Sequence, residues 1–124
     1  MSYIPWQERE RLFDAGEIQI LWLCGVPYVQ KADRSDPMIE LLAAPIPTGA
    51  RYLGRPVYFS DVVVRRDSPY QSLFDLRGAA WAYNEPRSHS GYNVVRAYLA
   101  EFSQNKDFFG EALESGAHTA SFEM

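Results

Sequence analysis

Residues 79–102 decide the fold, and they read AAWAY, NEPRSHSG and YNVVRAYLAEF in three consecutive parts. The first part is an apolar run of strand length, and the second is a polar loop. In the third part the apolar residues fall on one helical stripe: Val94, Val95, Tyr98, Leu99 and Phe102. A strand that leads through a polar loop into an amphipathic helix is one step of an α/β sheet. We therefore predict an α/β fold.

Upstream of this unit the sequence predicts a helix over residues 5–15, which Gly16 ends. Three strands are expected to follow, namely Glu17–Cys24 in the centre of a sheet, Ile39–Ile46, and the β-branched and aromatic run Val57–Arg66. Turns and polar loops are expected at residues 25–28, 31–37 and 48–56, and a one-turn helix at residues 72–77, before Gly78. Downstream, Phe108–Leu113 is a further strand candidate, and residues 115–118 open a last helix.

Length and composition exclude several classes of protein. A chain of 124 residues, 47% hydrophobic and 23% charged, is one folded domain in size and not a disordered segment. Its net charge is −4, without a cluster of basic residues, so we expect no nucleic-acid partner. The single cysteine and two distant histidines have no metal-ligand spacing, and no cofactor or metal is predicted. Neither a membrane span nor a signal peptide is visible.

The loop Ser88-His89-Ser90-Gly91 places two hydroxyl groups and an imidazole at the start of the predicted helix. Backbone N–H groups are unpaired there, and the helix dipole favours negative charge. The loop is therefore a candidate oxyanion site, with Gly91 allowing close approach of the backbone. The competing interpretation is that Ser88 or Ser90 is only an N-cap, which serine favours in any helix.

Two further residues are candidates for the same site. His118 follows a second turn of small residues, although a histidine near a chain end is more often merely exposed. Tyr28 follows a predicted strand, where open α/β sheets bind ligands, but a half-buried loop tyrosine is an equal alternative. A serine hydrolase is a less favoured interpretation of Ser88, His89 and Ser90, because adjacent residues rarely form a nucleophile and base pair and no Gly-x-Ser-x-Gly elbow is present.

The motifs together resemble a known family. The segment SLFDLRG at 72–78, the strand after it, and NEPRSHSGYN at 84–93 closely resemble the phosphate/phosphonate-binding proteins of ABC transporters, which have the type 2 periplasmic binding protein fold. Gly25-Val26-Pro27-Tyr28 and Ser115-Gly116-Ala117-His118 occur in the order found in the family. His89 and Ala117 depart from the family pattern, which often has threonine and a hydroxyl residue at these positions.

The resemblance implies a fold, a ligand and partners. It implies a partial type 2 fold, with two incomplete α/β lobes at residues 1–62 and 67–124 and a crossing strand or hinge at 63–66. It implies a non-enzymatic, periplasmic solute-binding component that passes a phosphate- or phosphonate-like oxyanion to a membrane permease; a ligand-sensing module of a signalling protein is the alternative. The implied ligand-binding residues are Tyr28, Ser88, His89, Ser90, Gly91, Tyr92 and His118. Family members are longer, so we expect a fragment, and we expect it to self-associate through unpaired strand edges.

Overall fold

The computed structural model describes residues 4–104 and 107–124 and contains one small parallel sheet with its connecting helix. Strand β1 (Ala80–Tyr83) pairs with β2 (Glu111–Glu114) in the register Ala80 to Glu111 through Tyr83 to Glu114. Helix α3 (Val94–Glu101) connects them and is preceded by a π-helical turn over His89–Asn93. The strand, loop and helix predicted from residues 79–102 are confirmed, and the second strand lies slightly later than predicted.

The core lies beneath this unit. Its buried apolar residues are Leu76, Val95, Leu99 and Phe108, with Trp81 and Phe109 packed against them. Val95 and Leu99 lie one helical turn apart on α3, which is the stripe predicted from the sequence. Because the strands and α3 pack on the same core, the loop between β1 and α3 has a fixed position.

Short elements frame this unit on either side. The predicted one-turn helix is a 3₁₀ turn over Leu73–Leu76, closed by a capping box between Ser72 and Asp75. Gly78 follows with φ +78°, the left-handed conformation that glycine adopts without strain. The predicted last helix is α4 (His118–Ser121).

The predicted first helix is also confirmed, whereas the turn predicted over residues 25–28 is wrong. Helix α1 spans Trp6–Asp14, and Gly16 follows it with φ +72°. Residues 25–28 form no isolated turn, because they begin helix α2 (Gly25–Ala32). The same helix includes Lys31, which was predicted to start the loop over residues 31–37. A proline in the first turn does not interrupt a helix, and Pro27 lies there. Lys31 is buried because two carboxylates of α1 neutralise it.

The three strands predicted before residue 67 are not observed. Residues 17–24, 39–46 and 57–66 contain no strand, and Ile20, Leu42 and Val63 are largely exposed. The prediction that Glu17–Cys24 lies in a sheet centre is therefore wrong. A strand exists only when a neighbour supplies its ladder of hydrogen bonds, and apolar composition alone supplies none. A single 3₁₀ turn, Ala50–Tyr52, interrupts the predicted 48–56 loop.

The architecture of the described residues is mixed helix and small sheet, which is compatible with a partial α/β domain. Residues 63–66 are not a strand, so the prediction of a crossing strand at these positions is wrong. The division into lobes at 1–62 and 67–124 stays a prediction, as does the type 2 fold. Within residues 4–104 and 107–124, no helix has the length and apolar character needed to cross a membrane.

Candidate functional site

The predicted loop lies at the start of a helix, as the sequence indicates. Ser88 is the N-cap of the π turn, is fully buried, and accepts a hydrogen bond at Oγ from the Gly91 N–H at 3.0 Å. Its carbonyl oxygen accepts from the Asn93 backbone N–H at 3.0 Å and from Asn93 Nδ2 at 2.9 Å. The capping role of Ser88 is thus observed, and its hydroxyl hydrogen is not used in that bond. The N–H groups of the first turn have no preceding carbonyl to bond.

Ser90 lies on the first turn beside two residues of the extended segment 57–66. Ser60 Oγ donates to the Ser90 carbonyl oxygen at 2.5 Å. Burial raises the pKa of Tyr58, the Cys24 thiol adds to this, and hydrogen bonds with Ser90 and the Gly25 backbone N–H lower it less. The Tyr58 phenol is therefore a neutral hydrogen-bonding group at neutral pH, positioned between Ser90 and Gly25.

His118 approaches the same loop from α4. Its Nε2 atom lies 3.5 Å from the Nδ2 atom of Asn84, a buried residue at the end of β1. A Cβ atom on Gly91 would overlap Asn84 Oδ1 and would lie 3.2 Å from His118 Cε1. Glycine is therefore required at position 91 by close packing, and the imidazole of His118 is brought to the start of the helix.

Two helix N-termini converge at this place. Gly25 is the first residue of α2, and a Cβ atom on it would lie 3.9 Å from His89 Cδ2, so His89 lies against the start of α2. His89 Nδ1 is buried and has no hydrogen-bond partner among the described residues. Each helix start carries a partial positive charge, so their meeting favours an anion.

The remaining predicted residues contribute less. Tyr28 is half-buried and lies on α2, one turn after its first residue. Tyr92 stacks on Trp81 with a centroid distance of 5.4 Å, and its hydroxyl accepts from Arg96 Nη1 at 2.8 Å. The Tyr92 side chain therefore belongs to the aromatic cluster above β1.

A cavity of about 120 Å³ adjoins this site and is lined partly by Cys24, Glu85 and Arg87. Glu85 Oε2 and Arg9 Nε, both from cavity-lining residues, are buried without a hydrogen-bond partner in the described part of the chain. Burial raises the pKa of Glu85, and Arg87 opposes this shift. Two residues of the cavity wall thus carry buried polar atoms whose hydrogen-bonding capacity is unused within the described residues.

Four contributors to the site are absent from the sequence-based prediction: Gly25, Tyr58, Ser60 and Asn84. Tyr58 and Ser60 stand two positions apart in a largely apolar run, which puts two polar groups on one side of an extended segment. That spacing was the available signal. For Gly25 and Asn84, which each follow a predicted strand, the sequence carries no further signal of a role in the site.

Comparison with known proteins gives a family match over most of the chain. A family model described as "ABC transporter, phosphonate, periplasmic substrate-binding protein" matches residues 4–124. No curated protein matches the chain at a significant level.

Proposed function

The chain belongs to the family of periplasmic substrate-binding proteins of phosphonate ABC transporters, and on that basis we propose that the helix start at residues 88–93 binds a phosphonate or phosphate oxyanion. Ser88, His89, Ser90, the backbone at Gly91, the backbone N–H of Tyr92, and His118 are its proposed contacts, with Tyr28 adding a phenol from α2. The single observation that carries this proposal is the meeting of two helix N-termini, at Gly25 and at His89.

The donors at this meeting point suit a tetrahedral oxyanion. Ser88 keeps its hydroxyl hydrogen, and His89 Nδ1 has no partner among the described residues. Tyr58 is a neutral phenol at the same place. Neutral donors and helix ends hold an anion without the desolvation cost of a buried cation.

The hydrogen-bond partners of Ser88 and His118 agree with a role in binding without catalysis. The Ser88 hydroxyl oxygen is bonded to the Gly91 N–H, and His118 Nε2 faces Asn84, so neither is paired as nucleophile and base. In the proposed role the chain acts in the periplasm and delivers its ligand to the membrane permease of the transporter. The serine hydrolase alternative predicts ester turnover that disappears in Ser90→Ala. The sensing alternative predicts a signalling partner in place of a permease.

Titration calorimetry with phosphate, phosphite and methylphosphonate tests the binding proposal. Ser90→Ala removes one hydrogen bond to a charged ligand, which weakens affinity about ten- to a hundred-fold. Ser35→Ala is the matched control, because Ser35 is exposed and lies beyond the opposite end of α2. If the double variant Ser88→Ala with Ser90→Ala keeps full affinity, the helix start is not the site.

Self-association stays a prediction. The exposed apolar side chains of residues 17–24 and 57–66 motivate it, since uncovered apolar surface favours association. Light scattering on the purified chain measures it, and a monodisperse monomer contradicts it.

A further inference from the structure

One buried carboxylate links both sides of the proposed oxyanion site. Glu10 lies on α1 and is 9% exposed. Its Oε2 atom is 3.1 Å from Arg87 Nη1 and 3.7 Å from Lys31 Nζ. Arg87 immediately precedes the N-cap Ser88, and Lys31 belongs to α2, whose first residue lies against His89. The same carboxylate therefore contacts the loop that carries one helix start and the helix that carries the other.

The contacts around this carboxylate hold Arg87 in one orientation. Its guanidinium carbon lies 5.0 Å above the Trp6 ring, so α1 holds Arg87 by an ion pair and by a cation–π contact. Lys31 is held separately by Asp14, at 2.6 Å. Lys31 thus keeps a carboxylate partner when Glu10 is neutralised, whereas no other ion pair of Arg87 is found among residues 4–104 and 107–124.

We propose that Glu10 is a positioning residue of the oxyanion site, acting through Arg87 to fix the loop at residues 85–88 against α2. This inference rests on the proposed function for the identity of the site. Neutralising Glu10 frees Arg87 from its ion pair, and the N-cap that follows Arg87 loses its anchor. The spacing between the two helix starts then varies, and a ligand that contacts both binds more weakly.

Glu10→Gln tests this, because it removes the charge and keeps the shape. Asp14→Asn is the matched control, since Asp14 lies on the same helix and contacts Lys31 but not Arg87. In the ligand-free protein, Glu10→Gln is expected to shift the backbone amide resonances of Gly25 and Ser88–Gly91, and Asp14→Asn to leave them in place. Glu10→Gln is also expected to weaken methylphosphonate affinity about ten-fold or more, with Asp14→Asn near wild type.

A double-mutant cycle separates positioning from plain stabilisation. If Glu10 acts through Arg87, Glu10→Gln has no further effect on affinity or on the amide resonances in an Arg87→Gln background. Additive effects overturn the inference, as does a Glu10→Gln protein that melts earlier while its resonances and affinity are unchanged. Should Glu10→Gln not fold, Arg87→Gln alone decides, because Arg87 is partly exposed and its loss must produce the same resonance shifts. If wild type binds neither phosphate nor methylphosphonate, the proposed function fails, and the positioning inference is judged on the ligand-free resonances.

Discussion

The hydroxyl of Ser60 donates to the carbonyl oxygen of Ser90 across 2.5 Å. This bond joins residues 57–66, which pair with no strand in the described part of the chain, to the first turn of the helix that carries the proposed site. The position of Ser90 thus depends on a residue thirty positions earlier in the chain.

Ser60→Ala is expected to lower the free energy of unfolding by about 1 kcal/mol, the ordinary worth of one such hydrogen bond. Affinity for the anion falls with it, because the first turn is held less firmly. Chemical denaturation and calorimetry measure the two effects. Ser68→Ala is the control, since the buried Ser68 hydroxyl has no hydrogen-bond partner among residues 4–104 and 107–124, and its removal is expected to be neutral or stabilising. Equal losses in both variants would contradict the role given to Ser60.

Gly91→Ala is expected to disrupt the site, because the added Cβ would overlap Asn84 Oδ1. Either Asn84 or the helix start must move, and the contact between Asn84 and His118 is lost with it. Loss of anion affinity and altered His118 imidazole resonances are the measurements. Gly25→Ala is the steric comparison, since its Cβ would meet His89 at an ordinary contact distance of 3.9 Å. A Gly91→Ala protein with unchanged His118 resonances would refute this packing argument.

Glu85→Gln is expected to raise the melting temperature at pH 7. Burial raises the pKa of Glu85 in the folded chain, so its charged form is disfavoured there and stability is lost as pH rises through the folded pKa. Below the pKa of an ordinary glutamate, about 4.3, the carboxyl is protonated in both states and the advantage of the variant disappears. Melting curves of both proteins from pH 4 to pH 8 measure this. A constant difference across that range would show that charge is not the cause.

Leu99→Ala is expected to cost about 2–5 kcal/mol, because it leaves a cavity where a fully buried leucine joins α3 to Phe108. The neighbouring change Tyr98→Ala is the control, since Tyr98 is 45% exposed. Urea denaturation of both variants gives the comparison. A smaller loss for Leu99→Ala than for Tyr98→Ala would mean that the core does not lie beneath α3.

The sequence predicts the elements whose signals are local. Residues 79–102 carry their strand, loop and helix in consecutive positions, and Gly16, predicted to end the first helix, follows α1 with positive φ. The run Val57–Arg66 has strong β propensity, but pairing requires a neighbour that composition does not reveal. Helix α2 could not be predicted, because glycine and proline, here Gly25 and Pro27, are common in turns. The burial of Lys31 depends on a tertiary contact with Asp14, which the sequence does not reveal.

The same distinction holds for the site. Ser88 as a cap and Ser90 on the first turn follow from the serine-rich loop alone, since caps are set by adjacent residues. Tyr58 and Ser60 reach the loop only through the path of the chain, and so does the contact of Gly25 with His89. The part of the candidate site formed by the β1–α3 unit was predictable from local signals, whereas the contacts of Tyr58, Ser60 and Gly25 were not.

Because residues 57–66 are extended without ladder hydrogen bonds, the two sides of the proposed site are expected to differ in their rates of amide hydrogen exchange. Amide hydrogens that lack ladder bonds exchange through small local openings, whereas those of β1 and α3 exchange only when the core opens. The amide hydrogens of Tyr58 and Ser60 are therefore expected to exchange faster than those of Ser88 and Ser90. If the proposed anion contacts both sides, it protects residues 57–66 far more than the helix start, so the slowing of exchange that it causes is concentrated at residues distant in sequence from Ser88 and Ser90.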